Sequence, residues 1–208
     1  MRVDKNKLFS REFLYGEEIE FVIPVYQRNY SWEIEQCEKL LDDIRKLYED
    51  ERKGHFLGSI VAKSEMDVKR NIKYTIIDGQ QRLTTFIIFM KVLLDLMLKN
   101  NSTKVSERTR RIYIKDGDVY KLKLSNEDSS FLHQYIFEDN FAESINITTP
   151  SQRLLIEAKE FFFESLTRFD IKILEKIYDT AVNAEILLYV VEEVHSATQI
   201  FELLNDRG

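Results

Sequence analysis

The sequence predicts an α+β fold, with a mixed α/β core and a mostly helical insertion near residues 100–183. Three observations predict it. Apolar, β-prone runs of strand length recur at 18–23, 56–62, 73–77 and 185–191. Apolar residues at helical spacing mark 32–52 and 80–99. Further helical patterns over 151–168 and 170–182 stand between the last two strands, which makes the intervening segment an insertion.

Each element has its own local reason. Glu18 to Ile23 alternates charged and apolar residues and stops at Pro24. Val25 to Trp32 is a loop of aromatic and polar side chains, and Ser31 is the expected cap of the helix that follows. Ile34, Cys37, Leu40, Leu41, Ile44, Leu47 and Tyr48 give that helix one apolar face, and Gly54 is a plausible stop. Phe56 to Ala62 and Lys73 to Ile77 form a hairpin about the polar residues 64–71. Asp78-Gly79 breaks the second strand. Leu83, Phe86, Ile87, Met90, Leu93, Leu94 and Met97 then lie on one helical face, widened by Ile88, Phe89 and Leu96, so this helix is expected to be buried on more than one side. Arg111 to Ile114 and Val119 to Leu124 read as a small hairpin around Asp116-Gly117. Ser125 is the expected cap of a helix through Phe137, and a polar loop leads to Pro150. A helix from about Ser196 to Leu204 closes the chain. The end at Asn205-Asp206-Arg207-Gly208, directly after a helical pattern, is expected to be an edge cut from a longer protein.

Composition narrows the function. At 208 residues, 44% hydrophobic and 32% charged, the chain can bury a core without staples. One cysteine, Cys37, excludes an internal disulfide and fits a reducing cytoplasm. No run approaches the roughly 18 apolar residues of a membrane span. A net charge of −6 argues against tight nonspecific DNA binding by this domain alone. His55, His133 and His195 are scattered, and no zinc or other metal site is expected from them.

Chemistry concentrates at three places, and because each puts polar residues at the end of an apolar element, Gln27, Arg28, the 78–82 turn and Asn205-Arg207 are expected to converge on one cleft. At the strand-to-helix junction, Gly79 permits unusual backbone angles and close ligand approach. The helix start offers free N–H groups to a phosphate, and Arg82 adds a bidentate donor. Gln80 and Gln81 can donate amides or orient a water, and Asp78 can accept from a ribose hydroxyl or help hold a divalent metal. Thr84 and Thr85 are candidate nucleotide contacts in the same segment. The plain alternative makes Asp78 an ordinary helix cap and the glutamines solvated. There is no Gly-x4-Gly-Lys-Ser/Thr, so this is not a Walker loop. In the second place, Tyr26, Tyr30 and Trp32 can stack a base while Gln27 and Arg28 contact phosphate or a base edge. The alternative makes Trp32 and one tyrosine core anchors beside the helix, and for Trp32 that is the expected role. In the third, Asn205 and Arg207 sit at a helix exit where simple capping is the alternative.

The ordered segments Ile23-Pro-x-Tyr-Gln-Arg-x-Tyr-x-Trp32, Phe56-x-Gly-Ser-Ile60, Ile77-Asp-Gly-Gln-Gln-Arg-Leu-Thr-Thr85 and Phe201-x-x-Leu-Asn-x-Arg-Gly208 resemble the GmrSD N-terminal domain family. The resemblance spans about residues 10–208. It implies a fold similar to the ParB/sulfiredoxin-like one. It also implies nucleoside triphosphate binding and hydrolysis in a bacterial, modification-dependent restriction protein active against phage DNA. Mg2+ is a candidate companion of the phosphates on the separate ground that Asp78 can help hold a divalent metal. The Asp-Gly-Gln-Gln-Arg motif corresponds to Asp78, Gly79, Gln80, Gln81 and Arg82, the Tyr-Gln-Arg motif to Tyr26, Gln27 and Arg28, and the terminal motif to Asn205, Arg207 and Gly208. The implied partners are a nucleotide, modified DNA through the full-length protein, and a C-terminal HNH-type nuclease domain expected to lie outside these 208 residues. DNA cleavage is therefore not expected of this domain alone. The alternative is a module without turnover that recognises modified DNA or a partner protein through the 25–32 loop. Which nucleotide, which modification and which oligomer are left open.

Overall fold

The computed structural model describes residues 3–9, 19–49, 56–66, 71–139 and 146–191. It is a mixed α/β structure. One six-stranded sheet runs in the order β1 (Val3–Phe9), β8 (Glu185–Val191), β3 (Phe56–Met66), β4 (Ile72–Asp78), β2 (Ile19–Ile23), β7 (Leu122–Leu124). β1 is antiparallel to β8, and β3 to β4. The pairs β8–β3, β4–β2 and β2–β7 are parallel.

Against this sheet lies α2 (Gln80–Lys99), the helix expected from its apolar run. Leu83, Ile87, Ile88, Phe89, Leu93, Leu94 and Met97 are all buried, so no face of its central turns meets water. The reason is a second helical layer. α5 (Pro150–Leu166) and α6 (Ile171–Asn183) pack on α2, and the Phe89 and Phe162 rings meet edge-on at 5.4 Å. α1 (Ile34–Glu49) packs on α5 and α6 in turn. The predicted insertion thus shares one hydrophobic core with the sheet.

Several expectations need correction. β1 was not expected at all. β3 continues through Met66, where a turn was expected to have begun at residue 64. Arg111 to Ile114 is not a strand. α3 (Glu107–Tyr113) occupies most of it, started by a capping box in which Ser106 accepts from the Thr109 amide and Thr109 accepts from the Ser106 amide, each at 3.2 Å. The hairpin around Gly117 shrinks to β5 (Lys115–Asp116) and β6 (Val119–Tyr120), because Leu122 to Leu124 leaves to join the main sheet. Ser125 caps nothing. Its amide donates to Ile23 O at 2.8 Å and extends the β2–β7 pairing, and the helix begins later as α4 (Asp128–Phe131) before turning into a π-helix over Leu132–Phe137. Ser31 does not cap α1 either: the helix starts at Ile34, and Gln36 Oε1 accepts from the Glu33 amide at 2.8 Å. The expected helix from Ser196 to Leu204 lies outside the described residues.

Cys37 sits in the core with its sulfur 3.9 Å from the Tyr30 hydroxyl. Burial pushes the thiol up to about 11 and lifts the Tyr30 phenol far above its ordinary range. A thiol that stays protonated and buried is a poor nucleophile. Iodoacetamide at about pH 8 should leave the native chain unlabelled and label it once in denaturant, as read by intact mass. Rapid native labelling would show that this part of the core opens.

Candidate functional site

The site is built at the end of β4. Val61 pairs with Asp78 and Ala62 with Ile76, so a bulge leaves Ile77 without a partner across the β3 ladder. Its carbonyl instead accepts from Gln27 Nε2 at 2.7 Å. The chain then turns through Gly79 at φ 86, ψ 9, a left-handed conformation that favours glycine. Gly79 also packs tightly on β3: an added Cβ would lie 2.8 Å from the Ser59 carbonyl oxygen. Gly79→Ala should therefore cost about 1–3 kcal/mol of stability, read as a lowered melting temperature. An unchanged melt would show that the turn can re-form without its left-handed residue.

Gly79, not Asp78, is the N-cap of α2, and it offers no side chain to the helix start. The first intrahelical bond runs from the Leu83 amide to Gly79 O at 3.0 Å. The amides of Gln80, Gln81 and Arg82 thus precede the helical ladder, and no acidic residue occupies the first turn. The positive end of a 20-residue helix is left without a side-chain counter-anion of its own.

The 25–33 loop is laced to this turn. Gln81 uses both ends of its amide: Nε2 donates to Asn29 O at 3.1 Å and Oε1 accepts from the Ser31 amide at 2.8 Å. Tyr30 bonds Thr85 Oγ1 at 2.8 Å, and the Thr85 hydroxyl donates to Gln81 O at 2.9 Å. Asn126 Nδ2 adds a bond to Asn29 Oδ1 at 3.0 Å.

These contacts bring two of the three predicted segments together. Gln27, Arg28 and Trp32 line one cleft of about 590 Å³ with Ile77, Asp78, Gly79, Gln80, Gln81 and Arg82. Asp78 is the only carboxylate among those lining residues. Among the described residues, neither Arg28 nor Arg82 is within ion-pair distance of a carboxylate, and the Gln80 side chain makes no hydrogen bond. Thr84 and Thr85 do not reach the cleft; both are buried, at 2% and 0% exposure. Tyr30 is a core residue, and Trp32 packs against the core while bordering the cleft. Tyr26, outside the lining set, is exposed. Asn205 and Arg207 lie outside the described residues. Sequence reasoning missed Ser59, which lines the cleft from β3. The Gly-Ser pair inside an apolar strand was its signal.

A second cavity of about 530 Å³ lies between α2 and α5. Its buried charges are already matched: Lys91 meets Asp95 at 2.7 Å and also Asp139, and Lys159 meets Asp139 at 2.5 Å. Such a closed network leaves little charge for a ligand. Among the described residues, no cluster of three or more His, Cys, Asp or Glu side chains is arranged to hold a metal.

The family model described as GmrSD restriction endonuclease, N-terminal domain, matches residues 10–208. The chain belongs to this family. No curated protein matches it at a significant level. Membership in the GmrSD N-terminal family implies a role in a restriction system, with DNA and a C-terminal nuclease as partners in full-length members. Among the described residues, no helix is long and apolar enough to cross a membrane.

Proposed function

We propose that this domain binds and hydrolyses a nucleoside triphosphate at the β4–α2 cleft and so regulates a cytoplasmic, modification-dependent restriction protein acting against phage DNA. The observation that carries the reading is the uncapped start of α2, opening into a cleft that holds two arginines without carboxylate partners among the described residues. An anion there meets free amides, the helix dipole and guanidinium groups at once.

In this reading Arg82 and Arg28 neutralise the phosphates. Gln80, with its amide unengaged, orients the attacking water. Gln81 and Gln27 hold the loop that carries Arg28. Catalysis is then mostly positioning and electrostatic stabilisation. One carboxylate, Asp78, and the Ser59 hydroxyl suit Mg2+, which is commonly held by one or two carboxylates plus substrate phosphates. Bound there, the ion would supply charge stabilisation to the phosphates.

A second reading, DNA or partner recognition without turnover, is favoured by the exposed pair Val25 and Tyr26, 72% and 62% accessible. It is the weaker one. Tyr30 is buried and Trp32 partly so, which leaves one fully presented ring for stacking.

The test is a thermal-shift screen of ATP, GTP, CTP and UTP with and without magnesium, followed by phosphate release. A ligand at 100 times its Kd stabilises by about 2.7 kcal/mol through mass action. A saturable shift with one or more triphosphates is expected. No shift with any of the four, together with saturable binding of modified duplex DNA, would transfer the cleft to the second reading.

A further inference from the structure

We propose that Gly58 is a positioning residue for Arg82, kept free of a side chain so that the guanidinium can be held at the edge of the cleft. This rests on the phosphate reading of the cleft and adds a residue that lies outside the β4–α2 turn and outside the 25–33 loop.

The observation is geometric. A Cβ on Gly58 would lie 2.2 Å from Arg82 Nη1, 2.6 Å from Cζ and 2.9 Å from Nε. All three closest contacts belong to one guanidinium, so the group lies directly against the glycine backbone. Gly58 also has φ +122, a conformation that side-chain-bearing residues rarely adopt. The backbone register of β3 shifts between Phe56 and Gly58 where it pairs with β8, so the strand is locally irregular at this point.

Arg82 borders two spaces at once. One is the polar cleft with Asp78 and Gln80. The other is a small apolar recess walled by Leu40, Ile60 and Phe86. The recess offers nothing to a charged head group, and no carboxylate among the described residues pins it. Contact with the Gly58 backbone is therefore what confines the guanidinium. A side chain already confined loses less rotamer entropy when it binds an anion than one waving in water. A methyl group at Gly58 would evict the guanidinium. The cleft would keep its arginine but lose the aim.

The test uses the full chain in four forms: wild type, Gly58→Ala, Arg82→Ala and the double variant. The ligand-independent readout is the Arg82 Nε–H resonance, assigned by its loss in Arg82→Ala. In wild type it should be dispersed from the free-arginine position, and in Gly58→Ala it should move to that position. An unchanged resonance would overturn the proposal. The binding readout is calorimetry with inorganic tripolyphosphate and magnesium, which presents the phosphates without a base. Gly58→Ala should weaken binding by about tenfold, and should have no further effect on the residual binding in the Arg82→Ala background. Additive losses would also overturn it, because Gly58 would then act independently of Arg82. If Gly58→Ala alone fails to fold, folding restored in the double variant supports the proposal, and failure in both backgrounds places Gly58 in the scaffold and overturns it. A wild type that binds no tripolyphosphate while showing the Arg82 resonance shift would sink the phosphate reading and leave the Gly58–Arg82 contact standing, so the two failures are distinguishable.

Discussion

Arg82→Ala is expected to lower triphosphate affinity by about tenfold to hundredfold while leaving the melting temperature near that of wild type. The size follows from losing one charge-assisted, bidentate contact, worth roughly 1.5–3 kcal/mol. The stability half follows from position. A cation in the first turn of a helix gains nothing from the dipole and is mildly disfavoured there. Arg82 also makes no ion pair with any described residue whose loss would be felt. An arginine kept at the positive end of α2 makes sense when an anion joins it. Calorimetry and scanning fluorimetry on the same preparations separate the readings. A variant that melts much lower yet binds triphosphate with wild-type affinity would place Arg82 in the scaffold.

The adjacent glutamines are expected to behave oppositely. Gln81→Ala removes two hydrogen bonds at once and strands the Ser31 amide and the Asn29 carbonyl. Leaving half-buried backbone groups unsatisfied costs about 1–3 kcal/mol each, so a loss of roughly 2–6 kcal/mol and a loosened loop are expected. Arg28 rides on that loop, so triphosphate affinity should fall as well. Gln80→Ala breaks no hydrogen bond with any described residue. Gln80 is 7% exposed, so the variant loses packing but strands no partner. Stability should fall by about 1 kcal/mol, less than for Gln81→Ala, and phosphate release by about 100-fold or more, as loss of a water-orienting group does. Thermal melts and single-turnover phosphate release on both variants check the pair. Equal stability losses in the two would show that the division of labour between them is wrong.

That division illustrates what the sequence can and cannot carry. α2 was legible because its apolar residues recur around the whole helix, which only a buried helix tolerates. The β4–α2 turn was legible because Asp-Gly between an apolar strand and an apolar helix has few other uses. The meeting of Gln27 and Arg28 with that turn was legible as an expectation, since both segments put polar residues at the ends of apolar elements. The roles of Gln80 and Gln81 were not legible. They are neighbours of one type, and only the tertiary position of the 25–33 loop decides which amide it occupies. Thr85 follows Gln81 by four residues and so stands one turn further along the same face, where its hydroxyl meets the buried Tyr30 hydroxyl and no longer reaches the cleft that Gln81 lines. β1 was missed because Asp4, Lys5, Asn6 and Lys7 carry no strand signal of their own; the pairing with β8 supplies it. α3 was missed because Arg111 to Ile114 alternates like a strand, while the Ser106–Thr109 capping box upstream decides for the helix.

The most direct test of the central claim is amide chemical-shift mapping of the isotope-labelled chain during titration with the triphosphate that gives the largest thermal shift, magnesium present. Saturable perturbations are expected, largest at the amides of Gly79, Gln80, Gln81 and Arg82, with a second group at Gln27, Arg28 and Ser59. Saturable binding whose perturbations instead centre on Lys91, Tyr135 and Lys159, in the cavity between α2 and α5, would contradict that claim.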